Sequence, residues 1–520
     1  MSANVSDLLR RRAEDSADAV ALVEAFGDGR TATWAELDAT VDAIARGLSG
    51  RGLVAGHRVG IVMPNTIAFV ATYLAAHRAG VVAVPVNPRA AAGEVMRLVA
   101  DAGLRLVVAG GPAAALVRGA LGDEAPPVVV HDAEPVDGET AWEVLARTPG
   151  EGVPPSPADP EILATLLYTS GTAGTPRGVM LSHRALLANV DQVSRIDPPV
   201  MAADDVVLGL LPLFHVYGLS CVLGQVLATG ARLVLVDRFD VDGTLAVVRD
   251  HGVTNVPLAP PVAAAWVGRD DLRESFAAVR TVLSGASPLD PDLAAEFAAS
   301  AGVVIEQGYG LTEASPVVAA TPATPGRDRT QPPRPSSVGH SVADLHLRIV
   351  DVSGRDAHRG DPGEIWLQGP NLFSGYWPDG VDGPDADGWW GTGDVGLIGD
   401  DGDLVLVDRL QELVIVSGFN VYPREVEEVL GELDEVAEVA VIGVADTRTG
   451  EAVSAYVVAA EGAEREAVLA AIGAQCEQRL ARYKWPRDVE VVDSLPHSAT
   501  GKVAKGRLRA RVRAGELGLS

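Results

Sequence analysis

The sequence predicts an α/β fold: a large N-terminal domain of βαβ subdomains, a small β-rich unit, and a smaller α+β C-terminal domain. Three observations predict it. Apolar β-branched runs alternate with alanine-rich amphipathic stretches through the N-terminal part. From about Val338 the runs shorten and turn glycines crowd in. After Asp408 the pattern changes again, to short strands mixed with helices. The 520 residues also exceed what one hydrophobic core serves, since domains typically run to ~100–200 residues. We place the domain boundary at 408/409, giving domains 1–408 and 409–520.

The elements follow in order. RVGIVM, TYLAAHRAG, VVAVPV, GEVMRLVADAG and LRLVVAG read as strand, helix, strand, helix, strand of a mostly parallel sheet. The proline-rich EGVPPSPADPE at 151–161 reads as a surface crossing between two similar subdomains. Val206 to Ala231 carries no formal charge and is long enough to span a membrane. Gly209, Pro212, His215, Gly218, Gly224 and Gln225 interrupt it, so a buried strand, a turn and a core helix are expected instead. A second proline-rich stretch, 321–339, is expected over the surface near a site. In the tail, ELVIVSGFNVYPREVEEVL reads as strand, turn and helix with Pro423 at the first helical position. AVIGV, SAYVVAA, a long helix ending near Arg482, and DVEVVDS complete it.

Composition excludes several functions. With 47% hydrophobic and 22% charged residues the chain is globular, and 42 basic against 70 acidic residues give −28 at pH 7. Such a surface repels phosphate backbones and anionic lipid, so no nucleic-acid partner is expected. Cys221 and Cys476 offer neither a disulfide framework nor zinc spacing and fit a reducing cytosol. The N-terminus lacks the apolar run of a secretory signal, so a cytoplasmic location without an integral membrane segment is expected.

Four segments carry chemistry. In LLYTSGTAGTPRGVMLSH, Thr169, Ser170, Thr172 and Thr175 interleave with Gly171, Gly174 and Gly178, with Arg177 near the end. Small residues let backbone N–H groups approach an anion, hydroxyls add donors and the cation neutralises charge, which makes a phosphate cradle. GxxxxGK[ST] does not fit it, so it is not a Walker A loop. A glycine-rich hairpin turn is the plainer alternative. In VVIEQGYGLTEASP, Gly308, Tyr309 and Gly310 could line a purine, and Glu313, after Thr312, could hold a divalent cation that bridges phosphates; alone, a turn with a half-buried ring is commoner. GWWGTGDVG has literal GxGxxG spacing, but no strand precedes it and no helix follows, so dinucleotide binding is rejected. Its Asp394 is a candidate for holding ribose hydroxyls, or only a turn former. In LPHSATGKVAKGR, Lys502 sits between small residues on a locally basic tail, where one ammonium could reach a phosphate.

In this order, YTSGTAGTPRG, PLFHVYG, GYGLTEASP, GTGD, DRLQELVIVSGFNVYPREVE and PHSATGK resemble the adenylate-forming superfamily that includes acyl-CoA synthetases, luciferases and peptide-synthetase adenylation domains. The resemblance runs from about Tyr168 to Lys502. It implies a mobile C-terminal domain and an active site at the domain junction. By the resemblance, Thr169 to Gly178 binds the ATP phosphates and Gly308 to Gly310 lines adenine. Thr312 and Glu313 serve phosphate and Mg2+, and Asp394 and Arg409 hold ribose. His215 stands near the substrate carboxylate, Lys502 bridges that carboxylate and the α-phosphate, and Gly418 and Phe419 border the pantetheine channel. Ala173, Arg177 and Gln411 depart from the usual Thr, Lys and Asp or Lys.

The implied activity is ATP-dependent adenylation of a carboxylic acid and acyl transfer to coenzyme A, with no fused carrier domain. PLFHVYGL suggests a medium- or long-chain fatty acid. VPLAPPVAAAW offers small apolar side chains and no arginine, so apolar acids are expected over short dicarboxylates. Transfer to a carrier protein, a non-enzymatic nucleotide-binding module and an oxygenase are the rival readings.

Overall fold

In the computed structural model the described residues are 3–121, 126–150, 152, 159–169, 176–287, 289–334, 336–351, 353–409, 412–416, 419–446, 450–480, 482–497 and 502–514. They form an α/β fold with a large N-terminal and a smaller C-terminal domain. Contacts group 1–169, 177–346 and 368–390 into one unit, and 347–367 and 391–520 into another, leaving aside within them the residues not described. Residue 408 thus lies inside the second unit. One sheet ends at Arg409, and the next strand, Val414–Val416, belongs to another sheet.

The large unit is built on two mostly parallel sheets. The expected alternation is present: strands Arg58–Val62, Val82–Pro85 and Leu106–Gly110 pair in parallel. Between them run helices Ile67–Arg78 and Ala92–Ala102. Helix Ile67–Arg78 is buried at every residue from Ala68 onward, because it belongs to a core cluster that draws side chains from both sheets. Its buried Arg78 is neutralised by Asp38 and Asp42, each at 2.6 Å. Asn65 ties the sheets together. Its side chain donates to Gly209 O and Leu211 O and accepts from Leu213 N–H, each at 2.9 Å.

Of the expectations about the two proline-rich stretches, the first is corrected. The subdomains do not change over at 151–161, most of which lies outside the described residues. Strands Leu163–Thr169 and Arg177–Ser182, which follow it, extend the same seven-stranded sheet as the strands before it. The passage to the second sheet comes after helix His183–Ser194. That nine-stranded sheet takes Val20–Glu24 and Thr31–Thr33 from the start of the chain as its edge. The stretch 321–339 is exposed at 325, 326, 328, 330–332 and 334, as expected, and its start is anchored: Thr321 and Pro322 are buried. Arg327 and Arg329 face the buried carboxylate of Glu306, Arg327 donating to it at 3.2 and 3.3 Å. An ionised group taken out of water needs such partners.

The segment 206–231 forms strand Val206–Gly209, a π-helix Tyr217–Leu223 and helix Gly224–Thr229, nearly all buried. Among the described residues no helix is long and apolar enough to cross a membrane. Both cysteines are free and buried.

In the second unit, strands His346–Val350, Gly363–Gln368, Trp390–Ile398 and Leu404–Arg409 form the small sheet. The tail builds a five-stranded sheet in which Val436–Asp446 and Gly450–Ala459 pair along their length. Helices Pro423–Gly431 and Arg465–Arg479 contribute Val426, Leu430, Val468 and Ile472 to its core. Pro423 is at the first helical position, where its missing N–H costs nothing. The expected turn at 417–422 includes a strand, Phe419–Val421, antiparallel to Val414–Val416.

Candidate active site

In the large unit the phosphate-loop motif spans a hairpin: strands Leu163–Thr169 and Arg177–Ser182 are antiparallel, with Thr169 opposite Arg177. Ser170, Gly171, Thr172, Gly174 and Thr175 lie outside the described residues, as do Ala173, Gln411 and Gly418. The flanking strands pair as in a hairpin, and the glycine-rich turn itself lies outside the described residues.

Segment 374–377 runs along the outgoing strand. Met180 N–H donates to Gly375 O, Ser374 N–H to Met180 O and Trp377 N–H to Gly178 O, at 3.1, 2.9 and 2.8 Å. This ladder fixes Tyr376, which the sequence did not single out. Its ring lies beneath Arg177, with the guanidinium carbon 3.6 Å from the ring centroid, and its hydroxyl donates to Glu313 Oε1 at 2.7 Å. Tyr376 thus joins two motif residues that are far apart in the chain. Burial, then the neighbouring Glu313 carboxylate, raises the Tyr376 pKa, so the phenol stays protonated and donates. Arg177 also pairs with Asp382 at 2.6 Å.

Gly308, Tyr309 and Gly310 lie in strand Ile305–Gly310, where the Tyr309 side chain is buried. A Cβ on Gly310 would stand 2.3 Å from Pro316 O, so only glycine fits this approach. The chain then makes a single 3-10 turn, Thr312–Ala314, which buries Glu313. Phe373 N–H donates to Glu313 O at 2.8 Å and Asn189 brackets Val317 with two hydrogen bonds, so the turn is held from both sides.

His215 precedes the π-helix, and its Nδ1 accepts from Tyr217 N–H at 3.3 Å. In a neutral ring the proton is then on Nε2. The Tyr217 hydroxyl donates to Leu283 O at 2.8 Å. A Cβ on Gly218 would meet Pro212 O at 2.4 Å, which is why the turn can close against the helix start. π-Helical turns concentrate at functional sites. An apolar cavity of about 30 Å³ opens behind this helix, lined by Cys221, Val222, Pro257, Leu283, Val317 and Ala320 among others.

In the second unit, Asp394 lies within strand Trp390–Ile398 rather than in the turn expected for it. It stands directly across from Arg409, so the two proposed ribose residues are cross-strand partners, although the Arg409 side chain is outside the described residues. Thr392 and Glu364 accept from the Asp394 and Gly393 N–H groups, at 3.0 and 3.1 Å. Phe419 opens strand Phe419–Val421. Lys502 is exposed, three residues before helix Lys505–Ala514. Its loop is closed at the base by a bridge between His497 and Val503 and by Ala504 N–H donating to Pro496 O at 2.6 Å.

Among the described residues, one group of three potential metal ligands is present: His131, Asp132 and Glu143, with Arg30 already on Asp132. Glu313 offers a single carboxylate. That suits Mg2+, which usually takes one or two protein carboxylates and completes its shell with water and substrate phosphate.

Fold and motif order together define an adenylate-forming enzyme. The chain belongs to the AMP-binding enzyme family: the model of that description matches residues 9–377, and that of the AMP-binding enzyme C-terminal domain matches residues 425–502. It is an acid–CoA ligase by family. It is 37% identical to 4-coumarate–CoA ligase-like 9 of Oryza sativa subsp. japonica, over 96% of this chain and 90% of that protein. It is 35% identical to an indoleacetate–CoA ligase of Aromatoleum aromaticum, over 93% and 94%. Among solved structures, ATP-bound MatB from Rhodopseudomonas palustris is similar at a TM-score of 0.86 with 30% identity, each chain covered to 99%.

Proposed function

We propose that this chain adenylates a compact apolar carboxylic acid, aryl or aryl-alkyl, and passes the acyl group to coenzyme A. The carboxylate oxygen attacks the α-phosphorus of ATP and pyrophosphate leaves. The thiol then attacks the acyl carbon and AMP leaves. The observation that carries this reading is the Glu313–Tyr376–Arg177 chain, which sets an anion and a cation side by side where two nucleotide-binding motifs meet.

In this reading the Thr169–Gly178 segment cradles the phosphates and Gly308–Gly310 borders adenine. Thr312 and Arg177 bind phosphate oxygens, and Asp394 with Arg409 holds ribose. Glu313 would hold Mg2+, whose chemistry is to draw charge from the phosphate oxygens. His215 orients the carboxylate. Lys502 neutralises charge as the carboxylate meets the α-phosphate, where a preorganised cation has most effect. Gly418 and Phe419 border the pantetheine path, and the domain boundary lies near 408/409. Two free, buried thiols suit a cytosolic setting.

The acid is narrowed by the relatives, two of which are named for 4-coumarate and indoleacetate. On that support we read a compact aryl or aryl-alkyl acid in place of the medium- or long-chain fatty acid suggested by PLFHVYGL.

The test is pyrophosphate release with 4-coumarate, indole-3-acetate, octanoate, palmitate and malonate, with and without coenzyme A, the acyl product being identified by mass spectrometry. Either aryl acid should exceed octanoate, and palmitate and malonate should be poor. Preference for palmitate restores the fatty-acid reading, and a product only on a carrier protein replaces coenzyme A as acceptor.

A further inference from the structure

Of the 42 basic residues only three are lysines, Lys484, Lys502 and Lys505, all near the end of the chain. Lys484 pairs with Glu425 at the surface of helix Pro423–Gly431. Lys505 is of a different kind. Its side chain is 12% exposed, and its ammonium lies 2.9 Å from Glu412 and 2.8 Å from Glu427. The Glu427 oxygen it meets also accepts Val441 N–H at 2.6 Å, from strand Val436–Asp446. Burial disfavours the Lys505 charge, yet Glu427 and Glu412 outweigh it and raise the ammonium's pKa, so the group stays ionised.

The placement matters because Lys505 begins the helix that leaves the Lys502 loop. The loop's upstream stem is held by Leu495, buried with Ala440, Ile442, Tyr456 and Leu508, and by His497, whose Nε2 lies 2.6 Å from Glu438. Its downstream stem is Val503, Ala504 and then Lys505. How firmly its stems are fixed bears on where an exposed loop lysine is presented, and misplacing a reacting group by about 1 Å costs on the order of 100-fold.

We infer that Lys505 is a positioning residue for adenylation: clamped between Glu412 and Glu427, it fixes the downstream stem of the loop that carries Lys502. It touches no reacting atom. The inference rests on Lys502 acting in adenylation, and its test separates the two. Removing Lys505 leaves two part-buried carboxylates together and endangers folding; Glu412→Gln keeps the Lys505–Glu427 pair and is the milder variant.

The experiment uses the full chain with 4-coumarate, or indole-3-acetate where the wild type prefers it. Pyrophosphate release is followed in one assay, and thioester formation from supplied acyl-AMP in a second, with melting curves, for Lys502→Ala, Lys505→Met and Glu412→Gln. For Lys505→Met we expect kcat for pyrophosphate release to fall about 10- to 100-fold with KM for ATP within about 3-fold. Thioester formation should change by less than about 3-fold. Glu412→Gln should show the same split at roughly 3- to 10-fold, with little change in melting temperature, and it alone decides the matter if Lys505→Met does not fold. Equal loss of both half-reactions, or adenylation unchanged, overturns the inference while Lys502→Ala still loses adenylation. If Lys502→Ala itself spares adenylation, the reading beneath has failed, and the inference falls with it.

Discussion

Glu313 and Lys502, the two motif residues assigned the heaviest electrostatic work, are held in opposite ways. Glu313 is built into the large unit: buried, its carboxylate bonded by Tyr376, its backbone bonded by Phe373. Lys502 is exposed, beside a bridge between His497 and Val503. A carboxylate for a cation and phosphates benefits from a rigid, partly dry seat, where attraction is strong and nothing must reorganise. A lysine that acts in one half-reaction must not be frozen in place for the other. On the roles proposed for them, the difference teaches that electrostatic preorganisation belongs to the large unit, and presentation to the small one.

The largest effect should come from Lys502→Ala. Adenylation should fall by at least ~100- to 1000-fold, thioester formation from supplied acyl-AMP should survive, and the melting temperature should stay within about 1 °C. Lost stability would show that Lys502 is built in like Glu313, and the comparison would break.

Glu313→Ala should behave differently. We expect adenylation to drop on the order of 100-fold and the melting temperature to fall by a few degrees. The variant strands the Tyr376 hydroxyl, and an unsatisfied buried donor costs ~1–3 kcal/mol. A melting curve that matches the wild type contradicts the rigid seat.

Acid sensitivity sharpens the contrast from the large unit's side. Helix His183–Ser194, whose Asn189 supports Val317, begins with His183, and burial lowers the His183 pKa to about 4. His77, 5.2 Å away between ring centroids, is lowered further by burial and then by His183. Both folded values lie below the unfolded one. Their contribution is therefore complete above pH ~6.5 and lost as the pH falls, and for His183 the loss levels off below about 4. For His183 that is roughly 3 kcal/mol, at 1.36 kcal/mol per unit. Denaturant unfolding at pH 7 and 4.5 should show a smaller pH difference in His183→Gln than in the wild type.

Tyr376→Phe should give the smallest effect. It keeps the ring under Arg177 and removes only the hydroxyl on Glu313. Adenylation should fall by roughly 3- to 10-fold, as for a hydrogen bond worth about 1 kcal/mol net that acts only by placing Glu313. Binding of Mn2+ in the presence of ATP, followed by electron paramagnetic resonance, should weaken in parallel. Unchanged metal binding would mean that Tyr376 only packs.

The sequence was legible wherever chemistry and spacing coincide. The strand–helix alternation from Arg58 to Gly110, Pro423 at a helix start and the buried 206–231 segment were all readable, because periodicity and punctuation are local signals. What depends on long-range pairing was not. Asp394 and Arg409 are opposite each other only because Trp390–Ile398 and Leu404–Arg409 pair in that register. Tyr376 was invisible because its role comes from lying along Arg177–Ser182, and an isolated tyrosine after a glycine carries no mark of that. The change of sheet was misplaced to 151–161 because prolines announce a loop without saying which sheet the next strand joins. Nothing in the 321–339 stretch marks Arg327 and Arg329 as partners of Glu306, because that pairing depends on where strand Ile305–Gly310 places the carboxylate.

The central claim is that the acid's own oxygen attacks the α-phosphorus of ATP. The most direct measurement uses an acid labelled with 18O in the carboxylate, incubated with the wild-type protein, ATP, Mg2+ and coenzyme A, with mass analysis of the nucleotide and phosphate products. The account predicts one 18O atom in AMP and none in pyrophosphate, with the label in AMP lost in Lys502→Ala. Label in inorganic phosphate alongside ADP would contradict it, because the attack would then fall on the γ-phosphorus.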